Sequence, residues 1–122
     1  MTFGCGVCFP PSADAAWTAR QGLAQVARLV EEPHVSVWIG ACGTCRQRYL
    51  SVFTERIDWV NGEDPQDWAL MPVTEEEAAA LVGGVSAGEI GVGRRCLRAY
   101  HPSDEGMRVF WSVGPAVIGP HD

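Results

Sequence analysis

The chain has 122 residues, 47% of them hydrophobic, and a formal net charge of −6. The apolar fraction excludes a disordered chain, the acidic balance disfavours non-specific binding to phosphate backbones, and no apolar run approaches the roughly 20 residues that span a bilayer. All nine basic residues are arginine, so lysine chemistry such as Schiff-base formation is excluded.

The length predicts one domain over 1–122. The opening "MTFGCGVCFPPSADAAW" has no basic start followed by an apolar segment, so no secretory signal is expected. The expected location is the cytoplasm, where thiols stay reduced. After Pro10 and Pro11, Ser12 predicts an N-cap for a longer helix over about 13–31. Ala16, Ala19, Leu23, Val26 and Val30 share one face of it, Gly22 weakens it, and Pro33 closes it. From Val35 the pattern turns to β. "VSVWI" is rich in β-branched and aromatic residues, and "RQRYLSVFTERIDWV" puts Tyr49, Phe53, Ile57 and Trp59 on one parity. Asn61 to Pro65 reads as a turn and "WALMPV" as a short strand. Thr74 caps a short helix over about 74–82, with Glu77 completing a capping box and Gly83 and Gly84 ending it. "GGVSAGEIGVG" lacks the lysine and hydroxyl of a phosphate-binding loop and reads as a flexible loop. "RRCLRAYHP" and "MRVFWSVGP" read as two strands joined by "SDEG". The fold class is α+β: a small antiparallel sheet, one longer helix and one short one.

Four of the five cysteines form two C-x-x-C pairs, Cys5 with Cys8 and Cys42 with Cys45. Residues 9–41, 33 in all, separate them. A C-x-x-C turn can aim both sulfurs at one ion, and two such turns supply the four thiolates of a tetrahedral zinc. Glycine follows the first cysteine of each pair (Gly6, Gly43) and lies shortly before it (Gly4, Gly40), where it permits tight turns and lets backbone N–H groups approach sulfur. The second pair lies between two strands, as a knuckle at a hairpin tip requires.

These residues resemble the zinc-ribbon class, in which two knuckles hold one zinc. The resemblance covers the cysteines and the strands from about 35 to 60. It implies a ribbon-like element built from 1–9 and 35–60, with Cys5, Cys8, Cys42 and Cys45 as metal ligands and one zinc per chain. The spacer exceeds the roughly 15–20 residues of the simple pattern, and a helical insertion would fill it. Cys8 and Cys45 are followed by Phe9 and Arg46, where many knuckles have glycine. The chain is also similar to small bacterial proteins with two C-x-x-C units and no assigned function. Three other readings of the cysteines stand: a rubredoxin-like iron site, thiol–disulfide chemistry and plain buried thiols.

Cys96 reads as a small core residue. It also admits a reactive-thiol reading beside Arg94, Arg95 and Arg98, and a second metal site with His101 and His34. The tail residue His121 is expected to be disordered. Asp58, Glu63, Asp64 and Asp67 do not match the register of a cation loop. Five tryptophans (Trp17, Trp38, Trp59, Trp68, Trp111) exceed what a small core absorbs, so some exposed aromatics are expected to favour a protein partner. A closed four-thiolate shell leaves no position for a catalytic water. The reading is a zinc-binding, non-enzymatic protein-interaction module. One alternative is a nucleic-acid-binding ribbon, if Arg46, Arg48, Arg56 and the 94–98 arginines converge. The other is an iron electron carrier or dithiol redox protein.

Overall fold

A computed structural model describes residues 3–55, 65–101 and 106–116. Helix α1 (Ala13–Ala19) begins at Ser12, whose hydroxyl accepts the Ala15 N–H at 3.2 Å, and ends in a 3-10 turn, Arg20–Gly22. Strands β1 (Ala24–Glu32), β2 (Val35–Ala41), β3 (Arg48–Glu55) and β4 (Gln66–Val73) follow. Then come helix α2 (Glu75–Val82), a second 3-10 turn (Ala87–Glu89), β5 (Arg95–His101) and β6 (Arg108–Val113). The architecture is α+β and mostly sheet. Each strand pairs antiparallel with the next, in the order β1-β2-β3-β4-β5-β6. No helix is long and apolar enough to cross a membrane among the described residues.

The expected longer helix stops at Ala19. Gly22, which costs a helix interior about 1 kcal/mol, sits in the 3-10 turn. The following residues, including β-branched Val26 and Val30, pair with β2 instead, through a hairpin closed by Pro33 and His34. Two register shifts, between Gln25 and Ala27 and between Arg28 and Val30, bulge β1. Along it Ala27, Leu29 and Val30 are half-buried while Val26 is exposed, so the residues of the expected helical face do not share an environment in the strand. Residues 56–64, 102–105 and 117–122 lie outside the described part. With them go the expectations for Arg56, Ile57, Asp58, Trp59, Glu63, Asp64 and His121, the turn over 61–64, and most of "SDEG".

The register sorts the sheet into two apolar faces. Ile39, Leu50 and Met71 lie in line on one face, with Val52, Ala69, Val73 and Cys96. Ala78 and Leu81 of α2 close over them. Tyr49, Leu70, Leu97 and Trp111 form the other face. The N-terminal segment covers it, packing Cys8, Phe9, Ala16 and Trp17 against those strands. Phe9 meets Trp111 edge-on at 5.4 Å, and Trp17 meets Trp68 the same way at 5.4 Å. The guanidinium of Arg95 stacks on Trp111, with 3.6 Å to the ring centroid, and donates to the Pro10 and Pro11 carbonyls at 3.1 and 3.3 Å. The Trp111 indole N–H also donates to Pro11 O, at 2.8 Å. The segment from Cys8 to Trp17 is thus pinned onto the sheet.

Candidate metal centre

The two C-x-x-C segments converge at one end of the sheet. Cys42 to Gln47 form the tip of the β2–β3 hairpin, closed by the Ala41–Arg48 pair and by the Cys42 N–H donating to Gln47 O at 3.0 Å. The first segment is a free-standing turn that leads through Pro10 and Pro11 into α1. Both turns carry the same internal bond: the Phe9 N–H donates to Cys5 O at 2.8 Å, and the Arg46 N–H to Cys42 O at 2.8 Å. Chemically alike sequences thus fold into two copies of one knuckle. Gln47 links them. Its side-chain oxygen accepts the Gly4 N–H at 2.9 Å, and its amide donates to Val73 O at 2.7 Å.

The four sulfurs of Cys5, Cys8, Cys42 and Cys45 all lie within 4.8 Å of one another. Sγ of Cys5 is 3.8 Å from that of Cys8 and 3.9 Å from that of Cys42, and Cys8 is 3.7 Å from Cys45. Four thiolates around a central ion at about 2.3 Å would have sulfur–sulfur edges of about 3.8 Å. The chain therefore sets out a tetrahedron of donors of the right size to hold a metal ion. No disulfide joins them. Cys8 and Cys42 are buried, Cys5 is half-buried and Cys45 is exposed.

The surroundings favour charge on two of these sulfurs and resist it on the other two, Cys8 and Cys45, the latter raised chiefly by burial. Hydrogen bonds from the Cys8 and Val7 N–H groups lower the Cys5 pKa. Burial pushes Cys42 up, but the Cys45 and Thr44 N–H groups, the latter 3.4 Å from its sulfur, outweigh it and bring the thiol down to about 6. Burial raises Cys8 to about 12, against the Tyr49 hydroxyl, which donates to its sulfur at 3.0 Å. Tyr49 is itself raised, by burial and by that bond. A divalent ion reverses this resistance, because a coordinating thiol is deprotonated outright.

Glycine works elsewhere than its place after the first cysteine implies. A Cβ on Gly6 or Gly43 would meet nothing within 4 Å. The demanding position is Gly4, with φ +70. A Cβ there would sit 2.7 Å from the Tyr49 hydroxyl and 3.0 Å from Cys8 Sγ. In the second knuckle the left-handed residue is Arg46, at φ 65, where other knuckles have glycine.

The remaining candidates disperse. Cys96 is fully buried on the α2 face, and burial raises its thiol while Arg98 opposes. His101 has the opposite parity on β5, and His34 meets Glu55 at 3.3 Å, so these three form no second cluster. Among the described residues, Arg94, Arg95 and Arg98 do not converge on one stripe. Arg94 grips Glu77 through two bonds, at 2.7 and 3.1 Å, Arg95 lies on the opposite face over Phe9 and Trp111, and Arg98 donates to Val113 O and Pro115 O. The four described tryptophans are half-buried. Exposed apolar surface lies instead on Met107, Phe110 and Val113, and on Val26 and Val82. Sequence reasoning missed Tyr49 and Gln47 as parts of the site. Gly4 was named, as a glycine just before a knuckle.

Compared with known protein families, curated proteins and solved structures, the chain matches none.

Proposed function

We propose that Cys5, Cys8, Cys42 and Cys45 hold one structural zinc ion, and that the chain is a non-enzymatic module that binds another protein. The observation that carries the metal reading is that three sulfur–sulfur separations are 3.7 to 3.9 Å, in a cluster where all lie within 4.8 Å, against the roughly 3.8 Å edge of a tetrahedral thiolate site. Four protein donors complete a zinc shell and leave no position for a reacting water, which supports a structural role. The ion would clip the N-terminal segment to the β2–β3 hairpin tip. Partner binding draws support from Met107, Phe110 and Val113, exposed on and beside the edge strand β6. The nucleic-acid alternative is weakened by the net charge of −6 and by the internal partners of Arg94 and Arg95.

Elemental analysis of untagged protein, with native mass spectrometry, tests the reading. One zinc per chain, and a lower thermal midpoint after chelation, are the expected results, because metal binding is coupled to folding. Iron with a visible spectrum would move the chain to electron transfer. No metal would overturn the reading.

A further inference from the structure

The four sulfurs are not equally placed. Cys45 is exposed, whereas Cys8 and Cys42 are buried and Cys5 is half-buried. An open hollow of about 400 Å³, lined by Phe3, Arg46, Gln47, Arg48 and Thr74, among others, reaches Cys45. Cys8 Sγ lies 3.7 Å from its sulfur, across the two knuckles. An accessible cysteine sulfur within reach of a second one is the arrangement that a two-electron oxidant converts to a disulfide.

We propose that Cys45 is an oxidation site, at which a peroxide drives formation of a Cys8–Cys45 disulfide and opens the metal centre. This rests on the four-thiolate reading above. The Cys45 sulfur attacks one peroxide oxygen, the O–O bond breaks, and hydroxide leaves, giving the sulfenic acid at Cys45. The Cys8 sulfur then attacks the Cys45 sulfur. The S–S bond forms and a second hydroxide is expelled. Two electrons have passed from the two thiolates to one peroxide, which ends as two hydroxides, or two waters once protonated. The centre has then lost two of its four donors and releases its ion. Cys96, fully buried beneath α2, is spared. Because the new bond crosses the knuckles, the N-terminal segment stays tethered after the ion has gone.

Hydrogen peroxide is added to metal-loaded full-length protein, with a chromogenic chelator reporting release and tryptic mass spectrometry reporting the bond. Cleavage after Arg20, Arg28 and Arg46 puts Cys5 and Cys8 on peptide 1–20 and Cys42 and Cys45 on peptide 29–46. The expected result is about one equivalent of metal released per equivalent of peroxide consumed, with 1–20 joined to 29–46 through Cys8 and Cys45. In untreated protein, Cys45 should react with N-ethylmaleimide at least about tenfold faster than Cys8 or Cys42, and Cys96 slowest. Separate oxidised peptides, each two hydrogens lighter, or a link through Cys5 and Cys42, would overturn the inference. So would protein that keeps its metal at tenfold excess peroxide. Protein that carries no metal at purification refutes the structural-zinc reading instead, and the metal-free chain still reports through peptide linkage whether Cys45 joins Cys8.

Discussion

Gly4→Ala isolates the demand that the first knuckle makes on its backbone. The left-handed conformation at φ +70 costs a residue with a Cβ about 1 kcal/mol. The added carbon would also sit 2.7 Å from the hydroxyl of Tyr49, a side chain only 1% exposed that has no room to retreat. Relieving that overlap sacrifices the Tyr49–Cys8 hydrogen bond, worth about 1 kcal/mol, and strains the packing by about as much again. A total of about 3 kcal/mol corresponds to about 100-fold weaker metal binding in a competition titration. With about 2.1 cal/mol/K of unfolding entropy per residue, it lowers the melting temperature of a 122-residue chain by about 12 °C. Gly6→Ala is the control. Its Cβ meets nothing, and a change of no more than about 0.5 kcal/mol is expected. The reasoning is refuted if Gly4→Ala melts within about 2 °C of the parent, or if both variants shift equally.

Arg46→Gly should act in the opposite direction, raising stability by up to about 1 kcal/mol in chemical denaturation by removing the left-handed strain at φ 65. Cys42→Ser should abolish stoichiometric metal in elemental analysis, whereas Cys96→Ser should keep the metal and only lower the melting temperature, because it places a hydroxyl in a fully buried position. Glu77 offers a pH test. Its hydrogen bonds from Arg94, and then from the Thr74 N–H, hold the carboxyl below its usual 4.5. A depressed folded-state pKa gives stability that is present above the unfolded value and lost as pH falls through the folded one. Urea melts should therefore show the parent losing stability more steeply than Glu77→Gln below about pH 4.5, and parallel curves would sink this account.

What the sequence disclosed was local, and what it withheld was long-range. The capping box is found as read: the Thr74 hydroxyl accepts the Glu77 N–H at 3.0 Å, and the Glu77 carboxylate accepts the Thr74 N–H at 2.8 Å. The second knuckle was legible because its flanking strands and its cysteines lie within one short stretch. Residues 24–32 were misleading, because the four-residue spacing of Val26 and Val30 suits a helix and a strand alike, and only pairing with β2 decides between the two. Tyr49 reads as an ordinary inward strand residue. Its bond to Cys8 spans 41 positions, and no periodicity encodes that. The same holds for the contact of Trp17 with Trp68, which lie 51 positions apart in the sequence.

The pinning of the N-terminal segment has a consequence for the order in which the chain can assemble. Every strand pairs with its immediate predecessor, so the sheet can grow in step with the chain, the longest connection being the one that carries α2 between β4 and β5. The first residues cannot finish in step. Cys8 meets sulfur 37 positions later, but Pro10 and Pro11 wait for Arg95 and Trp111, which are 84 to 100 positions away. Until β6 exists, Phe9 and Trp17 lack much of the surface that covers them. During that interval the knuckle pair is the available fastening. It moors the start of the chain at the β2–β3 tip, so that the last strands close against a segment already held in position.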